Sequence, residues 1–131
     1  MTEASDSAAN GKGKLLIIAD LYFFAKLREG AISLGYEATG AGNMDIARKK
    51  LAEDDFVAVL LSFNKDGFDW EACVTHIKST PKTSELPILT FGSHIDTGAF
   101  KRAKEIGADM AVPNSQIASD LPYVLTSLFE Y

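Results

Sequence analysis

Few side chains in this chain are placed to do chemistry, and two of them stand out by position. Asp20 and Ser62 each close a run of apolar residues, Leu15-Leu16-Ile17-Ile18-Ala19 and Phe56-Val57-Ala58-Val59-Leu60-Leu61. A carboxylate there could bind a cation or accept hydrogen bonds from loop amides, and a hydroxyl could be modified or contact a ligand. Each also has a structural use, Asp20 as the cap of a following helix and Ser62 as a hydroxyl satisfied within its own turn. His76 and His94 fall on different elements, with no carboxylate or second histidine at metal-ligand spacing. Cys73 is the single cysteine, which excludes an intrachain disulfide and a multi-thiolate metal site. It sits on a helical apolar stripe and reads as a small core hydrophobe. No Ser-His-Asp, Cys-His or paired-carboxylate arrangement is visible, so the expectation is a protein that is not an enzyme and has no cofactor and no metal.

The elements that must position these residues follow from hydrophobic period. The segment Asp55 to Asn64 is an apolar run ending in small and polar residues, which is how a strand buried on both faces of a parallel sheet reads. In such sheets, ligands gather at the carboxyl ends of strands, here Ser62, Phe63 and Asn64. Lys14 opens a first strand of the same kind, ended by Asp20. From Tyr22 to Leu34 the period becomes helical, with Phe24, Leu27, Ala31 and Leu34 inward and Gly35 at the C-terminal cap. Tyr36 to Ala41 is a weaker, glycine-containing strand. Asn43 caps a helix carrying Met44, Ala47 and Leu51. After the central strand and the turn Lys65-Asp66-Gly67, a helix is lined by Trp70, Cys73, Val74 and Ile77 and stopped by Thr80-Pro81. Leu86 to Phe91 is the fourth strand. Asp96 or Thr97 caps a helix with Phe100, Ala103 and Ile106 inward, Ala108 to Val112 is a short fifth strand, and Ser119-Asp120-Leu121-Pro122 begins the last helix. Five strands alternating with five helices predict a doubly wound α/β domain. Residues 1–13, small, polar and aperiodic, read as a disordered tail before a domain at 14–131.

Composition narrows the class. The chain has 131 residues, 47% apolar and 24% charged, which suits one soluble globular domain. Thirteen basic against eighteen acidic side chains give a net charge of −5. That argues against nucleic acid and anionic membranes, both of which want a basic footprint. No stretch reaches the ~18 apolar residues of a membrane span, and Leu15 to Ala19 is too short for a signal peptide. A cytoplasmic location is the expectation.

Gly35-Tyr36-Glu37 before the second strand, Leu86-Pro87-Ile88-Leu89 in the fourth and Gly107-Ala108-Asp109 before the fifth, in this order and spacing, resemble the receiver domains of bacterial two-component response regulators. The resemblance covers Lys14 to the C-terminus. It implies a flavodoxin-like (βα)5 fold with strand order 2-1-3-4-5. A working receiver uses a third-strand aspartate as a phosphoryl-accepting nucleophile and an acidic pair after strand one to hold Mg²⁺. It also has a hydroxyl ending strand four, a lysine ending strand five, and a switch aromatic in strand five. At these positions this chain has Ser62 as acceptor, Ala19-Asp20 as the acidic pair, Gly92 or the adjacent Ser93 as the hydroxyl, Asn114 as the lysine and Ala111 as the aromatic. One carboxylate remains where three are needed, so the resemblance implies a degenerate receiver without aspartyl phosphorylation, working through a signalling protein partner. Tyr22, Phe23, Phe100 and Lys104 are candidate interaction residues. Homodimerisation is implied through the face of helix four, strand five and helix five, Phe100 to Leu128.

The competing class is a small-ligand-binding or catalytic flavodoxin-like domain using the carboxyl ends of strands one and three. Asp20-Leu21-Tyr22-Phe23 is not the Ser/Thr/Gly-rich phosphate loop of a flavodoxin. G-x-G-x-x-G is absent there. Of the D-x-H-x-x-G of cobalamin-binding domains, Asp20-Leu21-Tyr22-Phe23-Phe24-Ala25 keeps only the aspartate.

Overall fold

A computed structural model describes residues 11–130 of the chain. Residues 1–10, most of the stretch read as a disordered tail, and Tyr131 lie outside the described residues. Lys12 N donates to Gly35 O at 3.2 Å, and Gly13 O accepts from Glu37 N at 2.8 Å, so the chain is already tied to the sheet before the first strand.

Five strands, β1 (Lys14–Ile18), β2 (Glu37–Gly40), β3 (Ala58–Ser62), β4 (Ile88–Gly92) and β5 (Met110–Pro113), form one parallel sheet in the order β2-β1-β3-β4-β5. Six helices connect and follow them: α1 (Leu21–Ser33), α2 (Met44–Glu53), α3 (Trp70–Ser79), α4 (Thr97–Glu105), α5 (Asn114–Ser119) and α6 (Leu121–Phe129). The strand order and the doubly wound architecture agree with expectation. The helix count does not. Five helices are expected, and the segment between β5 and the last helix adds a sixth, the short helix α5, with Pro113 as its N-cap and Ile117 buried on the core. Its polar sequence Asn114-Ser115-Gln116 carries no helical apolar period to reveal it. Strand β5 also runs to Pro113 rather than stopping at Val112.

Alternation along each strand divides the core in two. Leu15 and Ile17 of β1, Leu60 of β3, and Leu89 and Phe91 of β4 point to one face, where α1, α5 and α6 cover them with Leu27, Ile117 and Leu125 among others. Leu16 and Ile18, Val59 and Leu61, and Ile88 point to the other, under α2, α3 and α4. Every residue of β3 and β4 is buried, because both strands have neighbours on each side and helices above and below. The edge strands β2 and β5 are shorter and mostly half-buried.

Helix starts are fixed by side-chain caps. Asp20 Oδ1 accepts from Phe23 N at 3.0 Å, Asn43 Oδ1 from Ile46 N at 2.9 Å, and Asp69 Oδ1 from Ala72 N at 3.0 Å. The last turn of α2 is closed from outside: Lys82 Nζ donates to the carbonyls of Leu51, Ala52 and Asp54 at 2.7 to 3.0 Å. No helix among the described residues is long and apolar enough to cross a membrane.

Cys73 lies fully buried in the α3 face of the core, as its place on the apolar stripe predicts. Burial pushes its thiol up to about 12. A thiol reagent at pH 8 is therefore expected to label native protein only through opening of the fold, and quickly only in denaturant; rapid labelling of the native chain would contradict this burial. The folded thiol holds its proton more tightly than the unfolded one. Its contribution to stability is therefore complete below pH ~8.5 and is lost as pH rises toward 12.

Candidate functional site

The sheet brings most of the positions singled out by the resemblance to one end. In the β1–β3 pairing Ile18 lies beside Leu61, in β3–β4 Ser62 lies beside Phe91, and in β4–β5 Gly92 lies beside Pro113. Ala19 and Asp20 follow β1, Ser93 follows β4 and Asn114 follows β5, so all of these share the carboxyl rim of the sheet. Ala111 lies below the rim, beside Thr90 within the strands.

What these residues do there is structural. Asp20 is exposed, and its carboxylate is engaged as the N-cap of α1. Ser62 is 4% exposed, and its Oγ accepts from Asn64 N at 3.0 Å. Ser93 N donates to Asn64 Oδ1 at 2.6 Å, while Ser93 Oγ accepts from Ile95 N at 3.4 Å. Asn64 thus laces the β3 tip to the β4 tip through its backbone N–H and its side-chain oxygen. Asn114 is the first residue of α5, half-buried.

The packing around Gly92 explains why no hydroxyl stands there. Phe63 leaves the end of β3, folds over Gly92 and packs on Trp70 and Phe100, with ring centroids 5.5 and 5.1 Å away. A Cβ placed on Gly92 would penetrate the Phe63 ring at Cε2 and Cδ2 and lie 2.5 Å from Asn64 Oδ1. The space that a serine or threonine side chain would occupy is already filled by Phe63 and Asn64. Neither residue is a chemistry-bearing type, and an Asn after a strand reads as a turn former. The separation of 29 positions between Phe63 and Gly92 leaves no periodic signal linking them.

The aromatic candidates separate. Tyr22 is 68% exposed, whereas Phe23 is half-buried and packs toward the Phe91 ring at 5.9 Å. Phe100 is half-buried against Phe63. Of the four candidate interaction residues, only Tyr22 and Lys104 are open to solvent. Tyr123 on α6, 60% exposed, is an accessible aromatic that helical period alone did not single out. His76 is half-buried on α3 and His94 exposed beyond β4. Among the described residues no group of three or more metal-binding side chains converges.

With this geometry in place, solved structures give a consistent likeness. The chemotaxis response regulator CheY4 of Vibrio cholerae superposes with a TM-score of 0.79 at 17% identity, over 88% of this chain and 98% of its own. The signal receiver domain of a signal transduction histidine kinase from Syntrophus aciditrophicus gives 0.78 at 19% identity, over 90% of each chain. This is the receiver-domain fold. The phosphorylated cyanobacterial phytochrome response regulator RcpA shares it as well, with a TM-score of 0.72 at 16% identity, over 89% of this chain and 91% of its own. No family model and no curated protein sequence matches the chain. At the rim Asp20, Asp69 and Asp96 each accept from a backbone N–H at the start of the following helix, and β5 ends in Pro113 with Asn114 after it.

Proposed function

We propose that this chain is a receiver domain without a phosphorylation switch, acting by protein–protein recognition in a two-component-type regulatory system. The observation that carries the reading is the filled β4 tip, where Phe63 and Asn64 occupy the position of the phosphoryl-binding hydroxyl over Gly92. Aspartyl phosphorylation needs a carboxylate nucleophile and Mg²⁺ held by oxygen ligands. Ser62 supplies neither, and a cation held by Asp20 alone among protein carboxylates would bind weakly. A domain in this state signals through a constant surface, or through a partner that biases its conformation. Tyr22, Lys104 and Tyr123 are side chains exposed for such a partner, whose identity the chemistry leaves open. Self-pairing through α4, β5 and the last helix would use Lys104 and Tyr123 and leave Phe100 inside.

An amide NMR titration of the chain with Mg²⁺, followed by beryllofluoride or acetyl phosphate, tests the reading. The resonances of Asp20, Ser62, Asn64 and Gly92 are expected to stay in place. Saturable shifts that Asp20→Ala abolishes would show a responsive receiver and overturn it.

A further inference from the structure

The carboxyl rim holds a second feature, separate from the filled β4 tip. A hollow of about 360 Å³ opens between the ends of β1 and β2 and the loop after β3. Its volume falls in the range of roughly 300–1,000 Å³ typical of small-molecule sites. Ala19, Phe24, Gly40, Ala41 and Gly42 make most of its wall, and Lys65 is the only charged residue lining it. Neither Ser62, Gly92 nor Asn114 takes part.

Three observations converge on a ligand class. First, the hollow lies at the carboxyl ends of β1 and β2 and is bounded by Lys65 from the loop after β3, so it adjoins the point between β1 and β3 where the connections diverge. In open α/β sheets that divergence opens a crevice for ligands. Second, the wall is small and apolar by construction. Gly40 admits no side chain, because a Cβ there would lie 2.7 Å from Phe24 Cε1, while a Cβ on Gly42 would meet nothing within 4 Å. Third, Lys65 is half-buried, and among the described residues no carboxylate oxygen lies within 4.0 Å of its ammonium group. Of the charged side chains around it, Asp20 is turned to its own helix and Lys50 is engaged by Thr39 Oγ1 and the Gly40 carbonyl. A half-buried cation without a counter-ion beside an apolar wall is complementary to an amphiphilic anion.

We infer that this hollow binds a small monocarboxylate with an apolar body, the carboxylate on Lys65 and the apolar part against Phe24 and the Gly40–Gly42 segment. Leu21, 81% exposed on the rim, is placed to fold over the bound molecule. The inference does not depend on the phosphorylation reading, since no switch residue other than Ala19 lines the hollow.

The test is an amide NMR titration of the intact chain with phenylacetate, its neutral isostere phenylacetamide, and phenethylamine. Phenylacetate is expected to give saturable shifts at Ala19, Gly40, Gly42 and Lys65, with phenylacetamide about tenfold weaker and phenethylamine without effect. Lys65→Met should bring phenylacetate down to the level of the amide. Gly42→Leu, whose side chain enters open space at a position of ordinary φ, should abolish both without unfolding the chain. Absence of saturable shifts, equal binding of acid and amide, or shifts that survive Gly42→Leu would each overturn the inference.

Discussion

Gly92→Thr is expected to cost about 3 kcal/mol of stability, although it puts back the residue type that a phosphorylating receiver carries there. The cause is steric and local. The new Cβ would enter the Phe63 ring, and that ring cannot retreat freely because Trp70 and Phe100 pack against it. Asn64 would be displaced as well, breaking its hydrogen bond to Ser93 N. Phe63→Ala alone removes a side chain that is 7% exposed and should cost a similar amount through the cavity it leaves. In the double variant the threonine occupies that cavity. The combined loss should fall short of the sum of the single losses by more than 1 kcal/mol in a double-mutant cycle measured by denaturant unfolding. Additive losses would mean that the Phe63–Gly92 contact does not explain the glycine.

The second large effect concerns the acceptor position. Ser62→Asp supplies the missing nucleophile, yet it is expected to lower stability at pH 7 by about 2–4 kcal/mol and to take up no phosphoryl group from acetyl phosphate. Ser62 is buried, and its side chain is offered one donor, the Asn64 N–H. The lysine position holds Asn114 on α5, and Asp20 is committed to its cap. A carboxyl group in this place has its folded pKa raised above the unfolded value of about 3.9 by desolvation. The sign of the pH dependence follows: folding favours the protonated acid, so the penalty is small below pH ~4 and grows as pH rises through the folded pKa. Urea unfolding at pH 4 and pH 7, with intact-mass measurement after acetyl phosphate, checks both halves. A phosphorylated product, or a variant relatively more stable at pH 7 than at pH 4, would refute this account.

The fold was legible because its signals are local and repeated. Apolar runs such as Val57 to Leu61 can be satisfied only by burial on two faces, and the turns at Gly35 and Gly107 both take the positive φ that glycine supplies. Helix α5 escaped because a six-residue helix needs little apolar period of its own when Ile117 alone anchors it. The rim was legible by subtraction: the residue types at Ser62, Gly92, Ala111 and Asn114 are what the proposal of a receiver without phosphoryl chemistry rests on in the sequence. What fills the vacated space was not. The fold of Phe63 over Gly92 and the reach of Asn64 to Ser93 are contacts between loop tips 29 residues apart, set by side-chain shape. The inward turn of Phe23 beside Phe24 is of the same kind, because both rings pack on the core and the contact of Phe23 with the Phe91 ring is set by side-chain shape.

The two outer strands have a consequence for assembly. Each is four residues long; β2 begins with Glu37 and contains Gly40, and β5 ends in Pro113, its fourth residue, which has no N–H to donate. Short, charged or proline-terminated edges are poor templates for another chain's backbone. Polymerisation by strand addition, the route by which open sheets grow into fibrils, is thereby disfavoured at both margins. A surface on the β5 side would therefore engage a partner through side chains of α4 and α6 rather than through the strand's backbone.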